Sequence, residues 1–362
     1  MFRNMKNALY KSLFKAFKKA ETHRHPLNYL FWECTLRCNL NCLHCGSDCT
    51  ADSRIPDMPA EDFLNVLDSI PKPSDLFTVV ITGGEPLMRK DLEACGRAIR
   101  RRGFRWGMVS NGIFYDEKRH NSLLNAGLGS LTFSLDGFEH SHNWLRNSPA
   151  AFRKTERAIE LAVSAKRLTF DIVTCVNQKN FDELEALYAF LLDKDVKAWR
   201  LFTITPIGRA KNYDELFLTD NQMRSLMDFI IEKRKEKRID VKFSCEGYVG
   251  AYENKVRDGF FFCRAGINIG SVLIDGSVSA CPNIDRSFAQ GNIYQDDFWE
   301  LWQNRFKPFR GRSWTQKGEC ADCSKYSECR GNGMHYWHGD KQNVLQCHYK
   351  QILGTQTAGH TI

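Results

Sequence analysis

Cys38-Asn39-Leu40-Asn41-Cys42-Leu43-His44-Cys45 sets three thiols in one short stretch at C-x3-C-x2-C spacing. Three thiolates from one loop suit a cubane [4Fe–4S] cluster, because soft sulfur matches iron–sulfur chemistry. Three ligands leave one iron open. An open iron can bind a substrate or cofactor, whereas a fully ligated cluster mainly transfers electrons. The same spacing also fits a zinc knuckle that borrows a fourth ligand, or buried thiols that bind nothing. A second set lies toward the other end of the chain. Cys263 and Cys281 enclose Gly276 in a C-x12-G-x4-C segment, and Cys320, Cys323 and Cys329 form C-x2-C-x5-C with Cys347 beyond. Thiols paired at C-x2-C are a strong metal signal, with a structural zinc site made by the last four as the alternative. Cys34, Cys49, Cys95, Cys175 and Cys245 belong to neither set. Cys95 in a helical pattern and Cys175 at a strand end read as ordinary packed thiols.

Something must hold these loops. From Leu27 to about Asp240, short β-branched and aromatic runs alternate with amphipathic segments of helical length. Strands are predicted at Leu27–Glu33, Leu76–Thr82, Arg105–Val109, Leu131–Ser134, Thr169–Val173 and Ala198–Phe202. Helices are predicted near 60–70, 89–102, 116–126, 150–166, 182–194 and 219–238. Six strand–helix pairs in series imply a parallel sheet with right-handed crossovers. Each strand runs directly into polar or glycine-rich residues. They are, in order, the cysteine loop, Gly83-Gly84-Glu85-Pro86, Ser110-Asn111-Gly112, Ser134-Leu135-Asp136-Gly137, Thr174-Cys175-Val176-Asn177 and Thr205-Pro206-Ile207-Gly208-Arg209. In parallel α/β folds the carboxyl ends of the strands share one side, where ligands bind. Six motifs therefore converge on one face. After about Cys245, cysteine, glycine and aromatic residues become dense and helical periodicity fades, which reads as a second, metal-dependent domain.

Composition narrows the class. At 362 residues the chain can bury one large core and a smaller one. Fourteen cysteines are too many and too clustered for a chain with no signal-peptide pattern to be a secreted disulfide scaffold; they point to metal sites in a reducing cytoplasm. No run reaches the length of apolar residues that a spanning helix needs. The net charge of +8 suits an anionic partner or simply solubility, and no nucleic-acid-binding motif accompanies it. Residues 1–26 form a basic amphipathic helix with Phe2, Met5, Leu9, Leu13 and Phe17 at helical spacing. Seven Lys or Arg against one Glu give it +6. Such a helix lies on an anionic membrane surface, binds a partner, or packs on its own protein.

The C-x3-C-x2-C loop after a first strand, with His44 before its third cysteine, resembles the radical S-adenosylmethionine (SAM) superfamily. The resemblance covers roughly residues 27–240. It implies a partial (β/α)6 TIM-like barrel, open on one side. It also implies that Cys38, Cys42 and Cys45 hold a [4Fe–4S] cluster whose fourth iron chelates SAM. One electron then cleaves SAM to methionine and a 5′-deoxyadenosyl radical, which takes hydrogen from a substrate. Gly83, Gly84, Glu85 and Pro86 are similar to the element that contacts the SAM amino group in that family. Ser110, Asn111, Ser134 and Asp136 stand where the family also contacts SAM. His142 and Arg146 match a His-x3-Arg pattern of peptide-modifying members, with Arg146 near the SAM carboxylate.

The C-terminal cysteines resemble a SPASM domain, which carries auxiliary [4Fe–4S] clusters in radical SAM enzymes that modify peptides and proteins. The family pattern continues C-x2-C-x5-C-x3-C, but Gly333 stands where the last of these is expected. Cys320, Cys323, Cys329 and Cys347 still complete one auxiliary cluster by that pattern. Cys263 and Cys281 are left short of ligands, to remain empty or to recruit His335, His338 or another residue. In sulfatase-maturing members an Asp base directly follows the second early cysteine. Here Pro282 and Asn283 follow Cys281, and Asp285 is out of register. Sulfatase maturation is disfavoured, and no catalytic base is assigned.

The expected organisation is an N-terminal helix over 1–26, the barrel over 27–240, a SPASM-like domain over 245–351 and a tail over 352–362. The expected protein is a cytoplasmic radical SAM enzyme acting on a peptide or protein. It would take electrons from a flavodoxin or ferredoxin and bind no nucleic acid, with membrane contact through the N-terminal helix left open. Action on a small-molecule or cofactor precursor is the enzymatic alternative, and a non-catalytic iron–sulfur or zinc scaffold the other.

Overall fold

The computed structural model describes residues 2–71, 77–244, 246–339 and 342–354, with side chains from residue 8 onward. Leu76 and Cys245, named above, lie outside the described residues, as does the tail after 354. Helix α1 (Phe2–Arg24) leads into β1 (Tyr29–Glu33). There follow α2 (Ala60–Ser69), β2 (Thr78–Thr82), α3 (Leu92–Arg101), β3 (Arg105–Ser110), α4 (Glu117–Asn125) and β4 (Leu128–Ser134). Next come α5 (Glu139–Arg146), α6 (Ala151–Ser164), β5 (Thr169–Cys175), α7 (Leu184–Asp193), β6 (Ala198–Phe202), α8 (Asp220–Glu236) and β7 (Asp240–Phe243). Strands β1 to β7 pair in sequence order and in parallel, so all their carboxyl ends lie on one side. This is the parallel sheet that the alternating pattern predicts, in the strand order of the partial barrel that the resemblance implies.

Two elements go beyond that prediction. The four-residue β7 extends the sheet past the sixth strand. Helix α5, of eight residues, carries His142 and Arg146 on its buried side and ends on Asn147 in a left-handed conformation. It is too short and too polar to show a helical period.

The C-terminal region continues the same sheet. Strand β8 (Ile269–Val272) pairs in parallel with the free edge of β1, and β9 (Ser277–Ser279) and β10 (Gly291–Asn292) add antiparallel. Helix α9 (Phe298–Asn304) and short helical turns follow. Buried Glu33, the last residue of β1, accepts from Ile274 N at 2.9 Å and Arg286 Nη2 at 2.8 Å, both from the C-terminal region. The core between sheet and helices is aromatic: Trp32 stacks on Phe63 at 4.5 Å, and Trp106 and Trp199 are fully buried. Hydrocarbon at these positions supplies the bulk of the driving force for folding.

Candidate active site

The cysteine loop leaves β1 and is held from three sides. Cys34 N donates to Thr82 O at 2.9 Å, and Cys38 N to Thr50 O at 2.9 Å, which closes the loop on itself. Leu43 N donates to Leu145 O of α5 at 2.9 Å. Arg209, beyond β6, donates from Nε to Cys42 O at 2.8 Å and from Nη1 to Asp48 at 2.6 Å, while its backbone N reaches Cys45 O. Arg209 closes the sixth strand-end motif, which was visible in the sequence without a stated role.

Cys38, Cys42 and Cys49 are buried together around Leu40, with Cys45, Leu36 and Ile113 packed against them. Burial pushes the Cys38 thiol up to about 12, and burial also raises Cys42 despite the opposing Arg146 charge. Cys45 and Cys49 interact closely enough that ionisation of one opposes ionisation of the other, which holds Cys45 below the usual thiol range and Cys49 above it. Such thiols ionise when a cationic iron cluster coordinates them, since a coordinating thiol is deprotonated outright. Two further polar atoms of this loop, His44 Nδ1 and Asn39 Nδ2, are buried without hydrogen-bond partners. The donor set and its surroundings fit a cubane.

The neighbouring strand ends supply the rest. Gly84 N donates to Thr35 O at 2.8 Å and Glu85 N to Arg37 O at 2.9 Å, continuing the β1–β2 pairing past the strands. A Cβ on Gly83 would lie 2.1 Å from Thr35 O, and one on Gly84 2.3 Å from Arg37 O. The two glycines are therefore what lets this turn lie against the cysteine loop. Pro86, buried, opens the short turn that follows. The buried Glu85 carboxylate accepts from Leu87 N (3.0 Å), Ser110 Oγ (2.9 Å) and Asn111 N (2.8 Å). Burial raises its affinity for a proton, and those donors oppose the rise. Glu85 thus locks the end of β2 to the end of β3. Asn111 Nδ2 lies 3.9 Å from Cys38 Sγ and 2.8 Å from Asn39 Oδ1.

Beyond β4 stands a buried charge pair. Arg146 Nε and Nη2 lie 2.7 and 2.6 Å from Asp136 Oδ2, and Arg146 Nη1 is 3.8 Å from Cys42 Sγ. Asp136 Oδ1 accepts from Cys175 N at 2.8 Å, tying β4 to β5. Burial works against the Asp136 charge, but Arg146 outweighs it and holds the carboxyl below the usual range. His142 Nδ1 accepts from Asp136 N at 2.9 Å, so its ring is neutral with the proton on Nε2. Burial, reinforced by Arg146, brings His142 down to about 3. Ser134 ends β4 beside these groups, partly buried.

In the C-terminal region Cys320, Cys323, Cys329 and Cys347 line one small cavity together with Asn332 and Tyr248. Burial raises Cys320 to about 11 and Cys329 to about 12, and Asn332 N lies 3.1 Å from Cys329 Sγ. Four thiols lining one space are a donor set suited to a second iron–sulfur cluster. At Gly333 a Cβ would lie 2.6 Å from Glu246 O and 2.7 Å from the His335 ring, so the space a side chain would need there is already filled. His335 Nε2 is 3.8 Å from buried Glu246, and His338 Nε2 pairs with Asp285 at 2.8 Å. Cys263 and Cys281 pack at the edge of the main core. A large cavity of about 950 Å³ lies at the opposite, amino end of the strands, lined by Arg100, Arg105, Lys166 and Arg167 and by none of these residues.

A thiol-bearing loop at the carboxyl end of a parallel half-barrel, backed by glycine, asparagine and arginine from the next three strands, defines a class of protein. Residues 32–191 match the radical SAM superfamily, and residues 263–324 match SPASM, an iron–sulfur cluster-binding domain. The chain is a radical SAM enzyme with a C-terminal SPASM domain. Its radical SAM domain binds a [4Fe–4S] cluster and SAM, and its SPASM domain binds iron–sulfur. Among its relatives is the AdoMet-dependent heme synthase of Methanosarcina barkeri, 27% identical over 325 residues, covering 83% of this chain and 89% of that protein. The mycofactocin maturase MftC of Mycolicibacterium smegmatis is 28% identical over 309 residues, covering 84% and 77%. The solved structure of native anSMEcpe with bound AdoMet shares the fold at TM-score 0.69 and 21% identity, covering 91% of this chain and 96% of that one. Streptococcus suis SuiB bound to S-adenosylmethionine does so at TM-score 0.67 and 15% identity, covering 89% and 79%. Among the described residues no helix is long and apolar enough to cross a membrane.

Proposed function

We propose that this enzyme uses Cys38, Cys42 and Cys45 to hold its barrel cluster and modifies a peptide or protein. The observation that carries the reading is the convergence of those thiols with Glu85, Asn111, Asp136 and Arg146 from the ends of β2, β3 and β4. When bound, the cluster supplies the electron that converts SAM to methionine and a 5′-deoxyadenosyl radical. The chain's own residues do the rest. Gly83 and Gly84 let the turn after β2 lie against the backbone that leads into the cysteine loop, where the methionine end of SAM would bind. The Arg146 guanidinium, fixed by Asp136, places one positive charge next to Cys42 where the SAM carboxylate would lie. Ser110, Asn111, Ser134 and Pro86 would complete the SAM cradle. Cys320, Cys323, Cys329 and Cys347 would hold one auxiliary cluster in a domain spanning about 245–351, after a barrel over 27–240. The many thiols suit a reducing cytoplasm.

The maturase name of the MftC relative supports the peptide substrate. A second reading, a tetrapyrrole carrying carboxylate groups, is favoured by the heme synthase relatives and by the Fe-coproporphyrin III synthase of M. barkeri, 25% identical over 331 residues. The test is 5′-deoxyadenosine formation by the anaerobically reconstituted enzyme with SAM and a strong reductant. Stimulation by a short precursor peptide from the same gene cluster, and none by Fe-coproporphyrin III, supports the first reading. The reverse pattern selects the second. No 5′-deoxyadenosine under any condition would sink both.

A further inference from the structure

The cavity of about 950 Å³ at the amino ends of the strands takes no part in the site described above. Alternate residues of a strand face opposite sides of the sheet. Trp32 stacks on Phe63 of α2, Trp199 on Tyr188 of α7, and a Cβ at Gly96 of α3 would meet Trp106, so these tryptophans mark the helix-covered side. On the other side stand Tyr29, Thr78, Arg105, Ser130 and Thr169, from the amino-terminal halves of β1 to β5, and all five line the cavity. Further along the same face Phe31, Val80, Val109, Thr132 and Val173 are only partly buried. The face therefore stays open from the cavity to the strand ends that carry the cysteine loop.

Charge narrows the occupant. Arg100, Arg105, Lys166 and Arg167 line the cavity, all four are exposed, and no Asp or Glu lines it. None of the four has an ion-pair partner among the described residues. Arg200 of β6, farther up the same face, is by contrast already paired with Asp171 of β5. The carboxyl ends of α3 and α6 favour cations here but leave their charged heads able to bind an anion. Those ends present carbonyls, not the N–H groups that cradle a compact phosphate. Cations spread over three segments suit carboxylates spaced along a chain. Length agrees. Arg105 opens β3, and Asn111, which reaches Cys38, directly follows its last residue, a run of about 20 Å at about 3.3 Å per residue. An extended chain of about six residues spans it. We propose that this cavity holds an acidic stretch of the peptide substrate, which lies extended along the open face with the residue to be modified about six positions away, beside the cysteine loop. The inference rests on the peptide reading above.

The test is fluorescence anisotropy of a labelled oligoglutamate, and of its oligoglutamine counterpart, with the cluster-loaded full chain at low salt. The oligoglutamate should bind and the oligoglutamine should not. Binding should fade as salt rises, since exposed charges are screened beyond about 10 Å at 0.1 M. Lys166→Glu/Arg167→Glu, in a loop, should weaken it at least about tenfold, and Arg105→Gln about threefold. Lys15→Glu/Lys19→Glu makes the same charge change at exposed positions of α1 and should leave it within about twofold of wild type. All of these positions are exposed, so iron content and unfolding temperature should match wild type. Equal affinity in the cavity and α1 variants, or equal binding of the two peptides, overturns the proposal. Stimulation of 5′-deoxyadenosine formation by the precursor peptide at unchanged KM in Lys166→Glu/Arg167→Glu overturns it and leaves the peptide reading standing. Binding of Fe-coproporphyrin III that the cavity variants abolish, with none of oligoglutamate, overturns both.

Discussion

Replacing Arg146 with Gln should leave Asp136 as a buried carboxylate with no cation beside it. In the wild type that carboxyl has two contacts to Arg146, at 2.6 and 2.7 Å, and one to the Cys175 amide at 2.8 Å. Removing one partner of a buried pair costs about 3–5 kcal/mol, because the other is left uncompensated. The pH dependence has a definite sign. With Arg146 present the folded carboxyl titrates below its ordinary value of about 3.9, so its contribution is complete above that value and is lost only as the pH falls through the lower folded one. Without Arg146, burial dominates and raises the folded value instead. The deficit of Arg146→Gln should then be largest near about pH 8 and shrink toward about pH 5.5 as Asp136 takes up a proton. The assay is the anaerobic urea midpoint on samples matched for iron content, with Asp136→Asn/Arg146→Gln as the fourth corner of the cycle. The double variant should recover much of the loss. A deficit that does not change with pH, or a double variant no better than Arg146→Gln, would refute the account of this pair.

Cys38→Ala and Cys320→Ala should each lower bound iron by one cubane; Cys38→Ala abolishes 5′-deoxyadenosine formation, whereas Cys320→Ala keeps the paramagnetic signal of the barrel cluster. Loss of all iron in either variant would show that the two sites are not separate. Gly84→Ala should weaken SAM binding about tenfold in equilibrium dialysis, since the new Cβ, 2.3 Å from Arg37 O, costs about 1–3 kcal/mol of overpacking; unchanged affinity would mean the turn is not held by that approach. His142, neutral and held near about 3, favours the folded state above its ordinary value of about 6.5, and that contribution is lost as the pH falls from there toward 3. The slope is up to about 1.4 kcal/mol per pH unit, and His142→Gln should flatten it in a pH series of unfolding midpoints.

The sequence shows the strand ends well because each is a short β-branched run broken by a polar or glycine-rich turn, and the sheet places all of these turns on one side. The cysteines announce themselves by spacing. What spacing does not show is partnership. Arg146 reaches Cys42 across 104 positions, and Glu85 bridges β2 to β3; neither follows from local pattern. Helix α5 escapes because Glu-His-Ser-His-Asn-Trp-Leu-Arg is polar at most positions and only two turns long. The pairing of β8 with β1 escapes for a different reason. Four residues, Ile269 to Val272, have no period to read, and their partner is at the far end of the chain. Gly333 looks like a lost ligand in sequence, and the structure shows why no side chain is accommodated there: Glu246 and His335 already occupy the space.

The strand that leads into the cysteine loop has its second neighbour encoded some 240 residues later, at Ile269–Val272. While the ribosome is still making the intervening chain, β1 has β2 on one flank and nothing on the other. A raw strand border of this kind invites pairing with another molecule. Chains truncated before residue 269 leave that border bare and are expected to aggregate, as analytical sedimentation would show. Metal loading before that point would have to occur on an unfinished scaffold.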